Sequence, residues 1–407
     1  MNVRFFLVFL LLGLPIVGFV PTGTSKRDDL TQQLTSIYEK SDFPGFAVTV
    51  VRKNKVDYQQ AFGFANISQN IAYTNQTTQP IASVSKLFVG LALMKTVEMG
   101  LLSLDTEINT VLPFKVINPN QPNEPIRVRH LVTHTSGILD NESVSRRLYS
   151  ILPGELLTTK EAKRMQHELK ARTNGEMIPL NELMVAYLTV GGSLYSPANY
   201  GKAAPGNAYA YSNMATSLAA YLVEQAAGKS FPEFTKTEIF DPIGLKNTAW
   251  AVGRSAQPQA ATLYWMKGKP LPHYVHSSYP DGMLTTSNED LGIFLQAMMR
   301  GFSGESGILT KEGFRTLFAR QFLEMPAQMN PKEDNYGVFW VWFKNGRVGH
   351  TGGGLGVATL LAFYPEKQTG IVFMTNLELE YSGNLKKLSE QFQQIVNALK
   401  AYEQFEN

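Results

Sequence analysis

Apolar residues recur along this chain with two periods, and the places where the period changes outline its elements. Leu30, Leu34 and Ile37 keep a helical spacing, which predicts a first helix. Phe46 to Val51 and Val56 to Phe62 are short runs rich in β-branched and aromatic residues. Lys53-Asn54-Lys55 separates them as a turn, so the pair reads as a hairpin. After Ser83, the residues Leu87, Leu91, Met94 and Val97 form one helical stripe, and Gly100 ends it. Further on, Tyr336 to Phe343, Val348 to His350, Val357 to Tyr364 and Ile371 to Thr375 read as strands. Their turns fall at Asn345-Gly346, at the glycines after His350 and at Lys367-Gln368-Thr369-Gly370. A last helix carries Leu385, Leu388, Phe392, Ile395 and Leu399 on one face.

Strands at both ends with helices between them predict an α/β (α+β) fold in which one antiparallel sheet is built from both chain ends and flanked by helices. Residues 28–105 and 286–402 would form that sheet domain. Residues 106–285 would form an inserted, mainly helical domain, with the functional site in the cleft between the two. Within the insertion, the stretch 141–180 is polar. It holds Arg146, Arg147, Lys160, Lys163, Arg164, Lys170 and Arg172 against fewer acids. It reads either as a solvated helical insertion or as a lid or membrane-facing patch near the cleft.

The composition narrows the chemistry. With 407 residues, 44% hydrophobic and 17% charged, the chain can bury a large core. A net charge of +3 without a basic, aromatic-interleaved run gives no reason to expect nucleic acid. With no cysteine, disulfides, thiolate metal sites and cysteine catalysis are excluded. Six scattered histidines without an H-E-x-x-H motif imply no metal and no cofactor. At the N-terminus, a short basic start at Asn2 to Arg4 precedes an apolar stretch from Phe5 to Val20. Broken by Gly13, Pro15 and Gly18, that stretch suits a signal peptide better than a membrane span. Residues 1–24 are therefore expected to be a signal peptide or a membrane anchor, and the protein to be exported, periplasmic or secreted.

Three short motifs carry the chemistry. Ser83-Val84-Ser85-Lys86 is the one S-x-x-K match in the chain. It sets a hydroxyl and an amine one helical turn apart, so Lys86 can reach Ser83. A serine hydroxyl needs a nearby base to attack a carbonyl, and lysine serves when burial or a neighbouring cation favours its neutral form. At the start of its helix, Ser83 would also offer its own N–H to a developing oxyanion. Tyr211-Ser212-Asn213 adds a phenol and an amide two residues apart. Tyr73-Thr74-Asn75 repeats that pattern but precedes Ser83 in a polar, turn-like stretch. His350-Thr351-Gly352 ends in glycines where a backbone can approach a substrate closely. The ordered triplet describes a serine acyl-transfer site. His134 is read as structural, and Trp250, Trp265, Trp340 and Trp342 as core or cleft wall.

With those motifs the chain resembles the serine β-lactamase and penicillin-binding protein superfamily, on the branch close to class C β-lactamases. Longer segments carry the same likeness: Leu131-Val132-Thr133-His134-Thr135-Ser136-Gly137, Ala204-Pro205-Gly206 leading into Tyr209-Ala210-Tyr211-Ser212-Asn213, and Gly282-Met283-Leu284-Thr285-Thr286-Ser287 before Glu289-Asp290-Leu291. Gly349-His350-Thr351-Gly352-Gly353 is the last of them, and the likeness spans residues 30 to 400. The resemblance implies Ser83 as the acylated nucleophile, Lys86 as its base and Tyr211 as the phenol that moves a proton to the leaving group. It implies Asn213, His350, Thr351 and Gly352 as substrate contacts, and Gly353 as the residue whose N–H completes an oxyanion hole with that of Ser83. His350 departs from the family, which commonly has a lysine there to hold a substrate carboxylate. Histidine is weakly charged at neutral pH, which argues against strong β-lactamase action.

The expected function is a serine hydrolase acting on amide or ester bonds of a small molecule or peptide: a cell-wall D-Ala peptide, a β-lactam or an ester. The alternatives are a β-lactamase and, in another class, a catalytically silent scaffold that keeps the fold.

Overall fold

Gly45–Arg52 forms the middle of the molecule because its sequence suits burial on both faces. Every residue of the strand but Arg52 is buried. Phe46, Val48 and Val50 enter one apolar cluster, Ala47 and Val51 the other, so a strand between two cores reads as a continuous apolar run. The computed structural model describes residues 25–252, 259–379 and 385–404. The leader or anchor expected over residues 1–24 lies outside them. Among the described residues no helix is long and apolar enough to cross a membrane.

The strand Gly45–Arg52 turns into Lys55–Asn66 through Lys53 and Asn54, whose φ angles are 47° and 57°. Two consecutive left-handed residues give the tight hairpin whose twist matches its strands. Across the sheet the order is Glu333–Tyr336, Val341–Phe343, Val348–Gly354, Val357–Tyr364, Thr369–Thr375, Gly45–Arg52, Lys55–Asn66, Ile71–Ala72. All neighbours are antiparallel. The two chain ends meet where Phe46 pairs with Thr375 and Arg52 with Thr369. This is the mixed α/β architecture with a large antiparallel sheet that the strand pattern predicts.

Helices Lys26–Glu39 and Leu385–Glu403 cover one face, packing Leu30, Leu34, Ile395 and Leu399 onto Phe46 and Phe373. On the other face Asn288–Phe302 lays Leu291, Leu295 and Met299 against Val372 and Met374. Beyond it the helix Ser85–Glu98 is buried almost all round rather than along the one expected stripe, with Phe88, Val89 and Leu93 as deep as Leu87 and Leu91. A helix apolar on every side is a central helix. It ends at Gly100 as expected: Gly100 N–H donates to the Val97 carbonyl and Leu101 N–H to that of Thr96, with Gly100 at φ 72°.

Three sequence expectations are corrected. Tyr336 to Phe343 is two strands, Glu333–Tyr336 and Val341–Phe343, because Phe339 takes a φ of 60° and Gly337 N–H donates to the Trp340 carbonyl. The glycines after His350 are no turn. The strand runs on to Gly354 and reverses at Gly356, φ 75°. Thr369 and Gly370 belong to the following strand. Glycine is a turn signal only where nothing else holds the backbone extended, and here the strand Val357–Tyr364 does so through its ladder.

The middle of the chain supplies helices Leu180–Leu188 and Asn213–Ala227 together with short strands such as Tyr149–Ile151 and Tyr274–His276. At Tyr264 it returns to the large sheet: Tyr264 N–H donates to the Asn376 carbonyl and its hydroxyl accepts from Ile67 N–H.

Candidate active site

A small sheet delivers Ser83. Its strand Thr78–Pro80 pairs with Leu284–Ser287, and the chain then bends sharply. Ala82 takes a φ of 46°, a left-handed conformation that costs a residue with a Cβ roughly 1–2 kcal/mol. Strain of this kind gathers at functional sites. Ser83 therefore sits in the 3₁₀ turn Ala82–Val84, just ahead of the helix that begins at Ser85, rather than in that helix.

Lys86 is fully buried. Its Nζ lies 3.2 Å from Ser83 Oγ, 2.7 Å from Asn213 Oδ1 and 2.7 Å from the Asp281 carbonyl oxygen. An ammonium has three hydrogens, and all three find acceptors. A neutral amine keeps two of those bonds, to Asn213 and Asp281, and turns its lone pair to the Ser83 hydroxyl. Burial pulls the Lys86 pKa down to about 8, while the carboxylates of Asp281 and Asp140 pull it back up.

Tyr211 leans over this amine, with Lys86 Nζ 5.0 Å from its ring centre. Tyr211 as a whole is 37% exposed. The crowding around its hydroxyl raises its pKa, and a hydrogen bond with Ser83 opposes that rise. The loop that carries Tyr211 is fastened from behind. His134, at φ 56°, accepts Ser212 N–H on Nδ1 at 3.2 Å and takes Ala210 N–H on its carbonyl at 2.8 Å. Its ring packs 4.5 Å from that of Tyr211. Asn213 opens the helix Asn213–Ala227, and Asp140 holds that helix start. Asp140 accepts from Ser212 Oγ at 3.1 Å, Asn213 N–H at 2.8 Å and Met214 N–H at 3.0 Å. An acid at a helix N-terminus satisfies free amides and favours the dipole.

The third motif arrives on the strand Val348–Gly354. A Cβ on Gly352 would stand 2.5 Å from the Ile81 carbonyl oxygen and 3.1 Å from the Ser83 nitrogen, so glycine is what lets this strand lie against the Ser83 turn. Gly353 lines the cleft with Ser83 and Asn213. Thr351 is exposed. His350 is placed otherwise than expected. It is 5% exposed, with its ring 6.2 Å from that of Tyr211. Its Nδ1–H donates to the Thr351 carbonyl at 2.5 Å. Burial lowers its pKa to about 4, with Lys86 adding to the effect and the Thr351 carbonyl opposing it. It is uncharged at neutral pH, more fully than the ordinary histidine value suggests.

The cleft beside Ser83 measures about 440 Å³. The polar stretch 141–180 forms one wall of it, through Glu142, Arg146, Tyr149, Arg164 and Glu168. Arg164 lies 3.9 Å over the ring of Trp265, itself a cleft residue, while Trp340 and Trp250 are core. A larger depression of about 710 Å³, lined by Glu176, Asn181 and Tyr279, holds none of the motif residues. Among the described residues no three histidines and carboxylates are grouped to hold a metal ion.

Thus Ser83, Lys86, Tyr211, Asn213, Gly352 and Gly353 meet at one point from three distant segments. Asp140 and Asp281 stand there too without a sequence signal of their own, since each is separated from its partners by many residues and matches no spacing rule.

Comparison with known proteins gives a consistent result. The Beta-lactamase family model matches residues 28–387. Protein flp of Staphylococcus aureus strain MRSA252 is 23% identical over 383 residues, 91% of this chain and 67% of that protein. Penicillin-binding protein 4* of Bacillus subtilis strain 168 is 24% identical over 390 residues, 90% of this chain and 76% of its own length. Among solved structures, the octameric penicillin-binding protein homologue from Pyrococcus abyssi superposes with a TM-score of 0.64 at 23% identity, over 90% of this chain and 77% of that one. The penicillin binding protein from Bacillus halodurans gives 0.64 at 21% identity, over 90% and 98%.

Proposed function

Since this chain belongs to the beta-lactamase family, whose members are in general serine hydrolases and penicillin-binding proteins, we propose that it is a serine hydrolase that forms an acyl-enzyme on Ser83. One observation carries the reading: the buried Lys86 amine has three acceptors, one of which is the Ser83 hydroxyl. In the neutral form the amine takes the Ser83 proton as Oγ bonds to the carbonyl carbon of an ester or amide. The oxyanion faces the N–H groups of Ser83 and Gly353. As the carbonyl carbon–leaving group bond breaks, Tyr211, hydrogen-bonded to Ser83, hands a proton to the departing oxygen or nitrogen and regains one from the Lys86 ammonium. Water then attacks the acyl carbonyl, its proton passing to the neutral Lys86 amine, and Ser83 leaves with that proton as its bond to the acyl carbon breaks.

The substrate is a small ester or a peptide of the D-Ala type. The uncharged, inward His350 gives a substrate carboxylate no electrostatic help, so penicillins acylate slowly and leave slowly. The basic and apolar N-terminus supports action outside the cytoplasm, where such peptides are met.

Intact-mass spectrometry after a fluorophosphonate probe tests the nucleophile: one adduct is expected on the peptide that holds Ser83, and none in Ser83→Ala. Adduct formation in Ser83→Ala would remove the assignment, and a wild type that takes no adduct would favour the silent scaffold. Nitrocefin turnover should be weak beside hydrolysis of a short p-nitrophenyl ester. Turnover of nitrocefin on the order of hundreds per second would mean a β-lactamase instead.

A further inference from the structure

Asp281 does more at this site than lend Lys86 a carbonyl. Asp281, 8% exposed, lines the cleft with Ser278 and His276. Ser278 Oγ lies 2.5 Å from Asp281 Oδ2 and 3.0 Å from His276 Nδ1, and His276 Nε2 lies 3.4 Å from the Ser145 carbonyl. These three contacts need three hydrogens. The serine hydroxyl brings one and a neutral imidazole one. A carbonyl only accepts, so a third proton completes the row. It sits either on Asp281, with His276 neutral, or on His276, with Asp281 ionised.

We propose that Asp281, Ser278 and His276 form a proton-holding relay that sets the charge facing Lys86, which makes Asp281 and His276 positioning residues for the base. The inference rests on Lys86 being that base. When the relay gives up its third proton, Asp281 is a carboxylate beside a neutral imidazole, and it holds Lys86 as an ammonium. When the proton sits on Asp281, that negative charge is gone and the amine is freed to accept from Ser83. The proton on the relay and the proton on Lys86 therefore oppose each other.

The surroundings agree. Lys86 is faced by the carboxyl groups of Asp281 and Asp140, and by Tyr211 and the imidazoles of His134 and His350. His276 is faced by Asp281 and Asp140, by the Arg172 cation and by the Tyr149 ring at 4.4 Å on the paired strand. Burial raises the Asp281 pKa, and Lys86, then His276 and the Ser278 hydroxyl, oppose the rise. Its ionisation is therefore set by a balance between burial and these three neighbours, so a change in any of them moves the proton.

The test is the pH dependence of Ser83 acylation, read as the second-order rate of fluorophosphonate labelling between about pH 5 and 10. Asp281→Asn keeps the shape and fixes the neutral state. Its acid limb should move to lower pH by about half a unit or more. Ser278→Ala removes the hydroxyl that favours the ionised acid, and its limb should move the same way. The double variant should move no further than Asp281→Asn alone, as for residues that act as one unit. Circular dichroism confirms that each variant folds. A limb left in place by Asp281→Asn, or additive shifts in the double variant, overturns the relay while leaving the nucleophile intact.

The imidazole nitrogen resonances of His276 give a second readout that does not depend on acylation. Asp281→Asn should lower the pH at which His276 titrates, because an anion beside it is lost. An unchanged His276 titration overturns the relay. If Ser83 takes no label but His276 responds, the reading of Lys86 fails and the relay with Asp281 survives.

Discussion

A lysine sealed from water loses much of its preference for the charged form, and Lys86 shows what that does to both stability and rate. Its pKa falls from the usual 10.5 to about 8, chiefly through burial. Between those values the unfolded chain binds more protons than the folded one, so the Lys86 contribution to stability should rise with pH across about 8 to 10.5 and be least favourable below 8. Rate follows the free amine: at pH 7 about a tenth of Lys86 is neutral, so acylation by a neutral ester should climb nearly tenfold per unit below about pH 7, about fivefold more by pH 8, and then level. A flat profile from pH 6 to 9 would mean that another group takes the Ser83 proton. Lys86→Ala and Tyr211→Phe should each lower turnover by roughly a thousandfold or more while the far-ultraviolet spectrum is kept, as for other nucleophile–base pairs. Gly352→Ala places a Cβ against the Ile81 carbonyl and the Ser83 nitrogen. It should push the strand from the nucleophile and cut esterase activity by about a hundredfold, the loss seen when an oxyanion donor is displaced. At this scale the sequence was highly legible, because S-x-x-K, Y-x-N and the glycines after His350 are local patterns. His350 shows the limit. Its identity argued for a weak charge, but only the packing beneath Tyr211 turns it inward and uncharged.

Elements add a different kind of test, since a helix end can be changed without touching the site. Gly100 closes the helix Ser85–Glu98 at φ 72°, and a Cβ there would meet nothing within 4 Å. Gly100→Ala should therefore cost only the left-handed backbone, about 1 kcal/mol, visible as a lower urea midpoint with unchanged labelling of Ser83. Asp140→Ala is a sharper case. It releases three donors at the start of the helix Asn213–Ala227 and loosens Asn213 against Lys86. A stability loss of about 1–3 kcal/mol and a drop in acylation rate should appear together. The N-terminal hairpin, Val357–Tyr364 and the last helix could be read from periodicity because each keeps one period from end to end. Glu333–Tyr336 and Val341–Phe343 could not be separated, since the break at Phe339 lies inside an apolar, aromatic run with one glycine. The reach of the strand Val348–Gly354 was hidden for the opposite reason, its glycines being held extended by a neighbour.

For the whole molecule the decisive contacts join separate elements that lie far apart along the chain. Arg347 at the edge of the site strand is paired with Glu403 in the last helix, with side-chain exposures of 4% and 3%. Arg347→Met should leave a buried carboxylate without its partner and cost about 3–5 kcal/mol at pH 7 in a denaturant titration. Burial already raises the Glu403 pKa against the pull of Arg347, and without the arginine it rises further. A carboxyl whose folded pKa lies above its unfolded value gives stability at low pH that is lost as pH rises through the folded value. The loss in Arg347→Met should therefore shrink towards pH 5, and a loss independent of pH would assign the effect to packing. By itself the sequence determined which hydroxyl, amine and phenol would stand together, the fold class and the two-ended sheet. Those follow from local spacing and from hydrophobic period, which a single chain displays. Only the tertiary structure decided that the stretch 141–180 walls the cleft and that Asp140 and Asp281 flank Lys86. Such contacts form where separate elements pack, and their energy depends on burial and distance between side chains that no spacing along the chain encodes.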